Sequence, residues 1–362
     1  MVYLRMRQVR LKLVVKIPIL ALGILGIAFV TINILHLYHC SITFDINSYE
    51  NVTYLLRKSN SHPLPGGDLL PEVDYKTLVN INFTFTTFNL ICENTTPLLL
   101  ILVHSAPKNF AKRIVIRETW GKSEENVKIL FLLGTTDDIK IEKTLQQENY
   151  AHNDLLRGNF LDSYKNLTYK HLMGLKYVIY HCSQAKYILK VDDDVCVNLP
   201  TLKNFLIRDL SPYGATNLLM CNVVRNYKAL RSYRTKWRVT REEYKEKFYP
   251  PFCLGWCILY SPDVVLRIYA EAQRTRFFWV DDVFVTGVLV SKLDSIIHTD
   301  ISPLTLSLME ILHPDKCRPF LFGRADMSES GIRSLWKDIQ DNPVPQSVSN
   351  RLITGSYRGR ST

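Results

Sequence analysis

The chain has 362 residues, 47% of them hydrophobic, with eight cysteines and a formal net charge of +11. That length allows one large or two small domains with a sizeable core, and no internal repeat is visible. Five basic residues (Arg5, Arg7, Arg10, Lys12 and Lys16) precede the first apolar run, which leaves +6 on the remainder. So modest a charge gives little support to a nucleic-acid partner and suits a small anionic substrate.

Ile17 to Leu35 is 19 residues without a charge, which as a helix spans roughly 28 Å. It is longer than the apolar part of a usual signal peptide and shows no small-residue cleavage site, so an uncleaved anchor is expected. The basic residues lie only on its N-terminal side, which predicts a cytosolic tail over 1–16, a span over 17–35 and a type II chain. Residues 36–78 are polar, with Pro63, Pro65, Gly66 and Gly67 at their centre, and read as a stem. Four sequons, at Asn51, Asn82, Asn94 and Asn166, follow the apolar run and suit a lumenal position as glycosylation sites. Eight cysteines suit an oxidising compartment. Their pairing is not decided by the sequence, although Cys182 and Cys221 flank one strand and form a candidate pair, and Cys196 reads equally as a buried thiol.

A folded domain is expected over 79–340, with a tail over 341–362. Val79, Ile81, Phe83 and Phe85 alternate as in an edge strand. Leu98 to Val103 and Val127 to Leu133 are continuous apolar runs of the kind that buried parallel strands show. Thr168 to Cys182 places Leu172, Leu175, Val178 or Ile179, and Cys182 on one helical face. Pro262, behind a capping Ser261, opens a helix to about Ala272. Alternating strands and helices predict an α/β domain with a mainly parallel sheet, whose ligands sit beyond the carboxyl ends of the strands.

One such end carries Asp192, Asp193 and Asp194, directly after the apolar run Tyr187 to Val191. Three adjacent carboxylates repel one another and are costly to desolvate. Mg²⁺ or Mn²⁺, with phosphate oxygens completing its shell, would relieve that repulsion. A solvated acidic turn is the bland alternative. Asp281 and Asp282 form a second acid group, between Trp279-Val280 and Val283-Phe284. With such core-like flanks, one of the two is expected to face a site and the other to pair structurally. A helix-start acid pair is the competing reading. Arg113 and Arg117, four apart, read either as positive charge beside a nucleotide or as a solvated pair.

In order along the chain stand RIVIRETWG (113–121), FLLG (131–134), FLDSYKNLTYK (160–170), KVDDDVCVN (190–198), YPPFC (249–253) and DDVFVTG (281–287). This ordered set resembles the β-1,3-galactosyltransferase family of Golgi glycosyltransferases, from about Pro97 to Trp336. The resemblance implies a GT-A-type nucleotide-sugar-binding domain behind a single membrane span. It implies inverting, metal-dependent transfer of galactose from UDP-galactose to a glycan on lipid or protein. N-acetylglucosaminyl or N-acetylgalactosaminyl transfer, or a silent glycan-binding or chaperone relative, are the alternatives. It further implies Asp194 as the main metal ligand, Asp192 and Asp193 at the ribose or behind the metal, and Asp282 as general base. Asp281 is left for acceptor or structural contacts.

The basic and aromatic stretch from Tyr233 to Phe252 maps to a pocket loop in that family, with Trp237 and Tyr249 as candidate sugar-stacking faces. Three departures stand out. Cys196 replaces the usual phenylalanine after the acids, and Trp256 interrupts a glycine cluster and would narrow the pocket. Asp326 stands where relatives carry a metal-binding histidine, and is expected to stand in for it.

Overall fold

The computed structural model describes residues 77–307, 310 and 320–342. The apolar run 17–35, the stem, Asn51, Cys40, His313, Cys317 and the tail beyond 342 lie outside the described residues. Among the described residues no helix is long and apolar enough to cross a membrane.

A two-stranded hairpin, β1 (Thr77–Leu78) with β2 (Ile81–Asn82), precedes the main sheet. The sheet strands are β3 (Phe85–Thr87), β4 (Leu99–His104), β5 (Val127–Thr135), β6 (Leu155–Leu161), β7 (Tyr187–Asp192), β8 (Leu218–Val224), β9 (Phe252–Tyr260) and β10 (Ile297–Asp300). They lie in the order β10-β8-β9-β7-β4-β5-β6-β3. The block β7-β4-β5-β6 is parallel throughout, as is the β10-β8 pair. β9 runs antiparallel to both its neighbours, and β3 runs antiparallel on the edge. The sheet is therefore mixed. β8 and β10 run with the central block, so six of the eight strands share one direction; only β9, which follows β8 without an intervening helix, and the edge strand β3 run against them.

β4 is buried at every position, with parallel neighbours on both sides, which explains its unbroken apolar sequence. Its two faces feed different cores. Leu100 and Leu102 pack with Leu172, Leu175 and Val178 of one helix, and Leu99, Ile101 and Val103 pack with Val115 and Ile116 of another. The helices are α1 (Phe110–Glu118), α2 (Ile139–His152), α3 (Leu167–His181), α4 (Leu199–Asn204), α5 (Pro262–Ala272) and α6 (Glu329–Asp341). α3 follows the predicted helix closely. Gly174 lets it approach the sheet, since a Cβ there would stand 2.6 Å from Leu132 Cδ1. At α5, Ser261 does not cap as expected. Its hydroxyl donates to Asp263 (2.6 Å) and accepts the Leu218 N–H (3.0 Å), tying the helix start to β8.

Disulfides join Cys92 to Cys182 and Cys221 to Cys253. The candidate pair Cys182–Cys221 is thus replaced, each cysteine having a different partner. Cys196 and Cys257 are buried free thiols.

Candidate active site

Parallel register brings two strand ends to one level, His104 of β4 standing beside Asp192 of β7. Antiparallel β9 sets Cys257 beside Val191, so the preceding Gly255 reaches the same edge. Everything at the site is hung from these three strands.

Asp192 accepts from Lys190 Nζ (2.6 Å), and the same ammonium donates to the Gly255 carbonyl. Strand alternation puts residues 190 and 192 on one face, so this pair is built into β7. Burial pushes the Asp192 carboxyl up, against the pull of Lys190. Asp193 is saturated, accepting from Ser105 Oγ (2.7 Å), Asn109 Nδ2 (2.8 Å) and Lys112 Nζ (3.1 Å). Asp194 meets Lys112 at 3.4 Å and keeps part of its carboxylate exposed. Lys112 loses hydration, yet Asp193 and Asp194 together hold its proton above the ordinary lysine range. The Met327 N–H donates to the Asp194 carbonyl (3.0 Å), so Asp326, exposed and left-handed at φ 61°, lies one residue from that contact. Among the described residues no group of three or more histidine, cysteine or acidic side chains is arranged to hold a metal.

Asp281 and Asp282 open a helical segment that continues as a π-helical turn, Val283–Val288. Their carboxylates diverge. Asp281 meets His171 Nδ1 of α3 at 2.9 Å, and His171 Nε2 meets the Tyr260 hydroxyl of β9 at 3.0 Å, all three side chains being buried. Asp282 turns toward β9, and a Cβ on Gly255 would lie 2.0 Å from its Oδ1. Only glycine admits the carboxylate there. Burial first, and the charge of Asp281 second, push Asp282 up to about 7, while Lys190 and the Gly255 N–H oppose the rise.

The arginines do something other than either reading predicts. Arg113 is fully buried, and its donors are spent on Glu148 (2.8 and 2.7 Å), Ser105 Oγ (3.1 Å) and the carbonyls of Ala106 and Pro107. No N–H remains for a nucleotide. Arg113 instead orients Ser105, which orients Asp193. Arg117 binds Asp154 and Glu148 (2.7–2.8 Å) through Nε and Nη2 and stacks over Phe131, which leaves only its buried Nη1 unbonded.

The two stacking candidates part company. Tyr249 is 6% exposed and packs among Tyr244, Phe252 and Phe278, whereas Trp237 is 45% exposed. The Trp237 indole N–H bonds Tyr164, and the Lys236 ammonium lies over both rings. Tyr164 stands near Asp282, since burial and then the charges of Asp282, Asp281 and Asp192 push it up to about 12 against the Trp237 bond. Trp256 packs against the core face that holds Cys257, the face opposite Gly255 and Asp282. Of the sequons, Asn82 and Asn94 are exposed. The Asn166 amide donates to the Leu161 carbonyl (2.8 Å) and its Thr168 hydroxyl is buried against the Phe278 carbonyl (3.0 Å).

Lys190, Lys112, His171, Tyr260 and Tyr164 were not singled out from the sequence. Lys190 alone left a readable mark, a lone charge inside an apolar strand two residues before an acid.

Comparison with known proteins adds the following. A family model described as Galactosyltransferase matches residues 111–300. A stretch of 206 residues is 37% identical to Beta-1,3-galactosyltransferase 1 of Mus musculus and of Homo sapiens, covering 56% of this chain and 62% of theirs. Beta-1,3-galactosyltransferase 5 of Pan paniscus is 35% identical over 208 residues, which cover 56% of this chain and 67% of that one. The match thus spans less than two thirds of the length of the first relative. Among solved structures, the WbbM bifunctional glycosyltransferase gives a TM-score of 0.37 at 10% identity, covering 73% of this chain and 53% of that one. The galactosyltransferase LgtC, in complex with donor and acceptor sugar analogs, gives 0.33 at 8%, covering 70% and 99%. Likenesses this slight carry no argument.

Proposed function

The chain belongs to the galactosyltransferase family, and from that premise we propose that it transfers galactose from UDP-galactose to a glycan hydroxyl, with inversion, as a GT-A-type β-1,3-galactosyltransferase. One observation carries the reading. A half-buried carboxylate poised at about 7, Asp282, is joined to the acidic strand end by Gly255 and Lys190. Separate acidic groups, one at a strand end and one held near neutrality, are what transfer from a nucleotide sugar requires.

Asp282 takes the proton of the acceptor hydroxyl as the new bond forms at the anomeric carbon. Its position between Gly255 and the packed Val283 and Phe284 lets it do so without reorganisation. Asp192, whose side chain is partly exposed and bonded through Oδ1, has its other oxygen for a ribose hydroxyl. Asp193, saturated by Ser105, Asn109 and Lys112, braces the strand end. Trp237 and Tyr164 offer the stacking face for a sugar ring.

What supports a hard divalent cation here is the partly exposed Asp194 carboxylate, met at 3.4 Å by Lys112, with Asp326 exposed one residue from the Met327 N–H that binds the Asp194 carbonyl. Mn²⁺ or Mg²⁺ bound there would neutralise the leaving diphosphate. Asp326 stands in for the family histidine in this reading.

The same proposal takes the chain as a type II Golgi membrane protein, spanning once over 17–35 with its catalytic domain lumenal. Its support is the one-sided basic flank, the sequons and two disulfides, which form in oxidising compartments. The test is turnover of a panel of UDP-sugars and acceptor glycans by the full-length chain, with Mn²⁺ or with chelator, and linkage analysis of the product. A β-1,3-galactoside formed only with metal is expected. Preference for another UDP-sugar would revise the donor, and no turnover of any UDP-sugar would overturn the reading.

A further inference from the structure

Asp281 and Asp282 are adjacent acids of nearly equal chemistry, and something must decide which one takes a proton. Asp282 is faced by Lys190 and Asp192 from β7, by the Gly255 N–H from β9, by Tyr164 before α3, and by Asp281 beside it. Asp281 is faced by His171 from α3 (2.9 Å), with Tyr260 of β9 behind that ring (3.0 Å) and the His104 ring edge-on at 5.4 Å. Burial, with the charges of Asp281 and Asp282, holds the Tyr260 phenol's proton far above its usual range. Tyr260 is therefore a donor, and His171 Nε2 accepts. Its proton then sits on Nδ1 and is given to Asp281.

We propose that His171 is a positioning residue for the transfer: with Nε2 capped by Tyr260, it holds Asp281 as a carboxylate turned into the core and leaves Asp282 to take the acceptor's proton. The inference rests on the reading of Asp282 as general base. It goes beyond that reading by giving Asp281 a task, as the fixed negative neighbour that keeps Asp282 basic near neutral pH.

The chain Tyr260–His171–Asp281 can be cut in two ways with opposite consequences. Asp281→Asn removes the neighbouring charge, so the acid limb of the kcat–pH profile moves down by about one unit. His171→Leu removes the donor to Asp281, so the acid pair shares a proton to higher pH and the limb moves up by about one unit. His171→Asn presents an amide N–H where Nδ1 stood and returns the limb to within about 0.3 unit of the original. A merely structural histidine would lower the melting temperature without moving the limb. Should His171→Leu not fold, His171→Gln, whose amide reaches the Nε2 position instead, replaces it.

The same variants are read by 13C NMR of the full-length chain labelled at aspartate carboxyls, with the Asp282 signal assigned by Asp282→Asn. That titration decides the inference even where no UDP-sugar is turned over, in which case the proposed function fails separately. Shifts of opposite sign for Asp281→Asn and His171→Leu, with rescue by His171→Asn, are expected. An unmoved limb and titration in both variants, or His171→Asn behaving as His171→Leu, would overturn the proposal.

Discussion

Two clusters of charge lie on either side of Ser105, and they are built on opposite terms. Behind it, Arg113 and Arg117 face Glu148 and Asp154, two cations against two anions, with Arg113 and Glu148 wholly buried. Burial would push Glu148 up, yet the two guanidiniums hold its carboxyl below the usual range. In front, among the described residues, Asp192, Asp193, Asp194, Asp281 and Asp282 have Lys112 and Lys190 alone as lysine or arginine partners. The balanced cluster holds α1, α2 and the turn after β4 together. The unbalanced one keeps carboxylates in want of a cation and a proton, which under the proposed function a metal-bound diphosphate and an acceptor hydroxyl would supply. In a buried setting, the charge left over is a better guide to chemistry than the charge present.

The sharpest way to break this contrast is to remove one acid from the unbalanced side. Asp282→Asn keeps shape and removes basicity. Turnover should fall by about 10²–10⁴-fold, or roughly 3–5 kcal/mol of barrier, while UDP binding by calorimetry is kept. Near-normal turnover would put the base elsewhere. On the balanced side, Glu148→Ala leaves two guanidiniums facing each other in a dry interior. It should cost about 3–5 kcal/mol of stability by denaturant unfolding, and a loss under 1 kcal/mol would show that the cluster is hydrated.

A third measurement tests the cost of keeping an acid unbalanced. Asp282 is raised when folded, so the native state binds its proton more tightly than the unfolded chain does. That contribution is complete below the unfolded value near 4 and is lost as pH rises through about 7. At pH 8 Asp282→Asn should therefore be more stable than the parent, by about 1–2 kcal/mol, and the gain should vanish toward pH 4. An equal difference at both pH values would contradict the assignment. The smallest effect concerns Lys112. With its ammonium removed from between Asp193 and Asp194, Lys112→Met should bind Mn²⁺ alone about tenfold more tightly, or roughly 1.4 kcal/mol. Weaker binding would show that the lysine orients Asp194 instead of competing for it.

The sequence marked the second cluster far better than the first. An apolar run of strand length ending in three acids is a local pattern, and so is an acid pair between core residues. Both lie where the strand-end rule for α/β sheets predicts a site. Arg113 and Arg117 carry no comparable mark, because a pair four apart on a helix looks the same whether it faces solvent, a ligand or a glutamate 35 residues away. His171 was hidden for a related reason: its partners stand 110 and 89 residues distant, and only the packing of α3 against the segment opened by Asp281 and against Tyr260 of β9 makes them neighbours. The antiparallel return of β9 was equally illegible, since a buried strand is apolar whichever way it runs. It is also what delivers Gly255 to the acids.

The Cys221–Cys253 bridge reaches beyond the sheet it staples. Cys253 does more than pin β9 to β8. Its N–H donates to the Thr286 hydroxyl (2.9 Å), which donates to the Asp282 carbonyl (2.6 Å). The seat of the acid is thus three covalent or hydrogen-bonded steps from a bond that forms only by oxidation. Breaking that bridge would loosen the seat of Asp282 as well as the pairing of β8 with β9.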